Sequence, residues 1–94
     1  MADLTPHTVI GRNGELQSAA VPPGCVLLDV EAARYIELNE SAAAVWDVLE
    51  TPTTFRALCA ALQSRFDVSD EQCRIEVRTL LDQLLAWNVV HLAD

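Results

Sequence analysis

Cys25-Val26-Leu27-Leu28-Asp29-Val30-Glu31-Ala32-Ala33-Arg34-Tyr35-Ile36-Glu37-Leu38-Asn39 reads as two short strands, a four-residue connection and a helix cap. Cys25 to Asp29 is an apolar run of strand length. Arg34 to Leu38 alternates with period two, which puts Arg34, Ile36 and Leu38 on one face and Tyr35 and Glu37 on the other. Ile36 and Leu38 form the expected core pair. Val30 to Ala33 has the length of a hairpin loop, so the two strands are expected to pair antiparallel. Asn39 then offers a side-chain oxygen to cap a following helix.

Upstream, residues 1 to 7 carry Pro6 and no periodic pattern, and are expected to form a flexible N-terminal tail ahead of a single domain over residues 8 to 94. Thr8 to Arg12 is a short β-branched stretch followed by Asn13-Gly14, a strong two-residue hairpin signal, with Leu16 to Val21 as the returning strand. Pro22-Pro23-Gly24 forces a turn. Downstream, Ala42, Val45, Trp46 and Leu49 recur at helical spacing, and Thr51-Pro52 ends that helix. Thr53 or Thr54 caps a second helix with the stripe Phe55, Leu58, Cys59, Leu62 and Phe66. Ser69 starts a third, with Gln72 placed to complete a capping box. On a wheel of about 100° per residue, Cys73, Val77, Leu80, Leu84 and Trp87 form its expected core face. Arg74, Arg78, Leu81 and Leu85 lie on the neighbouring flank. Val89 to Leu92 is expected as a strand-like extension or a fraying end. The plan is α+β and winged helix-turn-helix-like: a small antiparallel three-stranded sheet followed by three helices.

The composition narrows the partners. Ninety-four residues with 51% hydrophobic content suit one packed domain. Fourteen carboxylates against six arginines give a formal charge of −8, which opposes both nucleic acid and anionic membranes. No stretch has the roughly 18 apolar residues of a membrane-spanning helix, and Met1 to Pro6 lacks the pattern of a secretion signal, so a cytoplasmic location is expected. Cys25, Cys59 and Cys73 show no metal-ligand spacing, and His7 and His91 are far apart, so the thiols read as reduced packing residues and neither a metal nor a cofactor is implied.

No catalytic constellation is visible. The three glycines are scattered among turns, no histidine shares an element with a serine or cysteine, and Asp70 and Glu71 opening a helix compensate its macrodipole. Cys73, one turn into a helix, belongs to an apolar stripe. Two features suggest binding instead. Arg34 to Leu38 is a candidate edge strand with unpaired backbone groups. The third helix sets Arg74 and Arg78 beside Leu81 and Leu85, although both arginines can equally pair with Asp70, Glu71 or Asp82 along their own helix.

The run Leu27-Leu28-Asp29, then Arg34-Tyr35-Ile36-Glu37-Leu38-Asn39, then Ala42 to Leu49 around Trp46, resembles PqqD-like proteins, also called RiPP recognition elements. Thr54-Phe55-Arg56-Ala57-Leu58, the link Phe66-Asp67-Val68, and Val77, Leu80, Leu81 and Leu84 continue the likeness over residues 16 to 92. Ala33 stands where the family pattern has glycine, and Thr8 to Gly14 has no counterpart. The resemblance implies a winged-helix-like domain with no catalysis of its own. Its partners would be the leader segment of a ribosomally made precursor peptide and a leader protease or other tailoring enzyme, with lasso-peptide biosynthesis favoured over service to a radical SAM enzyme or a purely structural subunit role. The leader would add as an antiparallel strand to Arg34, Tyr35, Ile36, Glu37 and Leu38, facing Arg74, Val77, Arg78, Leu81 and Leu85. Arg74 or Arg78 would then meet acidic leader residues, and Leu81 and Leu85 would floor an apolar pocket.

Overall fold

The computed structural model describes residues 4–14 and 16–93. Nine elements follow in order: β1 (Val9–Arg12), β2 (Gln17–Val21), β3 (Gly24–Asp29), β4 (Arg34–Leu38), α1 (Glu40–Val48), β5 (Thr53–Thr54), α2 (Phe55–Arg65), α3 (Asp70–Ala86) and β6 (Val90–Ala93). They form two three-stranded antiparallel sheets, ordered β2-β3-β4 and β5-β1-β6, around the three helices. This is an α+β winged-helix-like architecture.

The β2-β3-β4 sheet is built from consecutive hairpins. Val21 pairs with Gly24 across Pro22-Pro23, and Asp29 pairs with Arg34 across the four-residue loop. Gly24 is needed where it stands, because a Cβ there would collide with the Leu38 carbonyl. Ile36 and Leu38 are buried, while Tyr35 on the opposite face is 77% exposed, so the alternation holds. β3 is the central strand, and β4 has a partner on one side only.

The Asn13-Gly14 hairpin does not form. β1 pairs with β5 and β6, and the chain crosses from one sheet to the other at Asn13-Gly14. The asparagine serves tertiary structure: its side-chain amide donates to the carbonyls of Asn88 and Val90, both at 3.1 Å, and its oxygen lies 2.6 Å from His91 Nδ1. Val89 and Val90 are fully buried, so the C-terminal segment is a paired strand and not a fraying end.

The segment before β1 is also docked, as far as it is described. Residues 1–3, the start of the expected tail, lie outside the described residues. The Pro6 and Thr8 carbonyls accept the backbone N–H groups of Arg56 and Phe55 at 3.1 and 2.9 Å. These donors open α2 and have no acceptor within their own helix, so the N-terminal segment satisfies them. Leu4 packs against the core.

Each helix starts on its expected cap. Asn39, Thr54 and Ser69 accept from Ala42, Ala57 and Gln72 at 2.9, 3.2 and 3.1 Å. The Ser69–Gln72 capping box closes only halfway: among the described residues the Gln72 side chain accepts no bond from the Ser69 N–H, and its amide donates to Glu76. The core gathers Leu27, Ile36 and Leu38 from the wing sheet with Val45, Trp46, Leu58 and Leu62 from α1 and α2. On α3 the buried residues are Cys73, Val77, Leu81 and Leu84. Leu81 is fully buried, whereas Leu80 is half-buried and Trp87 is 41% exposed. The buried stripe is therefore rotated by a few tens of degrees from the expected one, towards Leu81. β1 also anchors α1: the Arg12 guanidinium lies 4.0 Å over the Trp46 ring and its Nε donates to the Trp46 carbonyl at 3.1 Å.

Candidate functional site

β4 ends at Leu38, and Asn39, the cap of α1, and Ser41 in the first turn of α1 line a cavity of about 310 Å³. Its other walls are Phe66 and Val68 after α2 and Ile75, Glu76, Thr79 and Leu80 of α3, with Cys73 and Val77 among its lining. At the opposite end of the strand, Arg34 donates from its guanidinium to the carbonyl of Trp87, the C-cap of α3, at 2.6 Å. Two points thus tie the β4 region to α3: Arg34 at the helix's C-terminal end, and Asn39 and Ser41 across a largely apolar cavity from its middle.

The cavity lining puts Glu76 and Leu80 on the α3 flank nearest the end of β4. Glu76, Leu80 and Trp87 lie within a narrow sector of the helix wheel. Arg74, Arg78 and Leu85 lie about 160° away on the same wheel. Arg78 donates to the Leu4 carbonyl at 3.2 Å, on the side of the N-terminal segment, and Arg74 is paired with Asp70 one turn earlier at 2.6 Å. Of the residues expected to form the groove, Arg34 to Leu38 share the edge strand, Val77 and Leu81 belong to the core, and Arg74, Arg78 and Leu85 point to the other flank. Leu80 and Trp87 are expected on the core face from the sequence, yet Leu80 is half-buried against the cavity and Trp87 is 41% exposed. The exposure of Trp87 was not readable from an apolar stripe.

The charges of the site are modest. Asp29 accepts the Ala32 N–H and the Arg34 Nε, and these bonds hold its carboxyl below the usual carboxylate range. The thiols behave oppositely. Burial pushes Cys59 up to about 12, with the neighbouring Cys73 adding to the shift, and burial also raises Cys73 and Cys25. Protonated thiols of this kind are poor nucleophiles. Cys73 Sγ donates to the Cys59 carbonyl at 3.5 Å, a packing role. Among the described residues, no group of three or more His, Cys, Asp or Glu is placed to hold a metal ion. None of the described helices is long and apolar enough to cross a membrane.

A wing sheet with a free edge strand, laid beside the third helix of a three-helix core, places this chain among winged-helix-like domains. The family model for coenzyme PQQ synthesis protein D (PqqD) matches residues 24–90, and the chain belongs to that family. Two solved structures share its fold. One is TbiB1 in complex with the TbiA(beta) leader peptide: TM-score 0.76, 18% identity, 86% of this chain and 94% of that one covered. The other is a lasso peptide synthetase B1 complexed with the leader peptide: TM-score 0.73, 22% identity, 87% and 96% covered. No curated protein matches the chain.

Proposed function

We propose that this chain is a non-catalytic adaptor that captures the leader segment of a ribosomally made precursor peptide and presents it to a leader protease or other tailoring enzyme of lasso-peptide biosynthesis. The observation that carries the reading is the edge of β4, paired on one side only and ending at an apolar cavity. A peptide added antiparallel to Arg34–Leu38 gains main-chain hydrogen bonds, and the flanking walls select its side chains. Its residues preceding the pairing segment would reach the cavity beside Leu80, and those following it would leave past Arg34 and Trp87. Both fold neighbours were solved with leader peptides, which supports the same use here. Holding the leader turns a dilute encounter between peptide and enzyme into an effectively intramolecular one.

The α3 wall in this proposal is Glu76, Leu80 and Trp87, in place of the arginine flank. Titration with a synthetic leader, taken from the precursor reading frame beside this chain's own gene, is expected to change the fluorescence of half-exposed Trp87. Trp46, buried in the core, should report little. A titration with neither heat nor fluorescence change contradicts the proposal.

A further inference from the structure

We infer that Arg34 is a positioning residue that fixes the gap between β4 and α3, and is not itself a charge contact for the leader. This rests on the proposed peptide site and says how its width is set.

Arg34 is the first residue of β4 and pairs across the hairpin with Asp29. Its Nε lies 3.2 Å from Asp29 Oδ2, and its terminal nitrogen donates to the Trp87 carbonyl at 2.6 Å. Both ends are prepared for it. Asp29 is oriented by a second bond, from the Ala32 N–H to Oδ1 at 3.1 Å, so the hairpin loop and the guanidinium hold the carboxylate between them. At the other end, α3 carries no basic residue in its last turn. A helix C-terminus presents unsatisfied carbonyls and a partial negative charge. Arg34 supplies the cation from a different element. Among the described residues, this is the one side-chain hydrogen bond that links β4 to the α3 cap.

A planar guanidinium can satisfy a carboxylate and a carbonyl together, in two directions from one rigid fork. The resulting brace, Asp29–Arg34–Trp87, ties one end of the groove while the cavity end stays open. A peptide strand then meets an edge already held at working distance from the helix, and less ordering remains to be done on binding. A lysine ammonium is a single compact charge. It reaches one acceptor or the other, so Arg34→Lys keeps the charge and loses the brace.

The experiment has two arms. In the free protein, amide hydrogen exchange over residues 34–38 and 84–90 is expected to speed up in Arg34→Ala and Arg34→Lys, with far-UV circular dichroism unchanged. In the second arm, the synthetic leader is expected to bind both variants more weakly than the native chain, by about tenfold for Arg34→Ala. The loss should be equal for a leader whose acidic residues are replaced by amides. Asp29→Asn, which leaves the guanidinium in place but removes its ion pair, should show a smaller loss in the same direction. Full affinity in Arg34→Lys, or a loss that disappears with the amide leader, would mean a direct charge contact and overturns the inference. Unchanged exchange in the free variants overturns it as well. If the native chain binds no leader, the proposed function fails, and the exchange arm still judges the brace.

Discussion

The two sheets solve different problems with the same number of strands. β2-β3-β4 is made from residues 17 to 38 in sequence, each strand following its neighbour through a short loop. β5-β1-β6 gathers residues 53–54, 9–12 and 90–93, and so ties the beginning of the described chain to its end. The second sheet is held by specific side chains, Asn13 on Asn88 and Val90, and Arg12 on Trp46. The first leaves β4 with an open edge. One sheet is a fastening and the other is a surface.

α3 touches both sheets, through β6 and through Arg34, and substitutions there carry the largest expected effect. Leu81→Asp places a carboxylate in a fully buried site and should cost about 3 to 5 kcal/mol, a large part of the stability of a small domain. Loss of the cooperative thermal transition is expected. Leu80→Asp, on the half-buried groove flank, should keep the native circular dichroism spectrum and abolish leader binding. If Leu81→Asp folds normally, the assignment of the two flanks is wrong.

A milder change separates fastening from surface. Asn13→Ala removes the donor that joins β1 to β6 and leaves the Asn88 and Val90 carbonyls without it. Chemical denaturation is expected to show a loss of about 1 to 3 kcal/mol, with leader affinity in the folded protein within twofold of native. A large drop in affinity at equal folding would show that the two sheets are coupled.

The smallest effect is in alkali. Cys59 keeps its proton in the folded chain up to about pH 12, against 9.0 for a free thiol, because burial disfavours the thiolate. A raised pKa stabilises the fold below the unfolded value, and that contribution is lost as pH rises through the folded one. Thermal stability should therefore decline between about pH 9 and 12, and Cys59→Ala should flatten the decline. A decline of the same slope in that variant assigns it to other groups.

What the sequence made legible was local. The alternation in Arg34 to Leu38, the caps Asn39, Thr54 and Ser69, and the hairpin loop at Val30 to Ala33 depend on neighbours a few residues apart, and all stand in the structure. Asn13-Gly14 carries the same local signal as a hairpin turn, yet β1 is claimed by strands some 40 and 80 residues away. Turn chemistry gives no information about such partners. The helix-wheel reading of α3 found the right apolar sector and centred it between the wrong neighbours. A wheel shows which residues share a face but not which element covers each edge of it. Leu81 is buried and Leu80 borders a cavity because of what packs against them, and Arg78 faces the Leu4 carbonyl for the same reason.

In the proposed function β4 is the edge that receives the peptide, and backbone amide exchange with and without saturating leader tests this most directly. Residues 34–38 are expected to gain protection on leader addition, with smaller gains around Glu76 to Trp87, while β5 and β6 stay unchanged. A leader that binds yet protects β2 or β6, and leaves 34–38 as in the free chain, would contradict it.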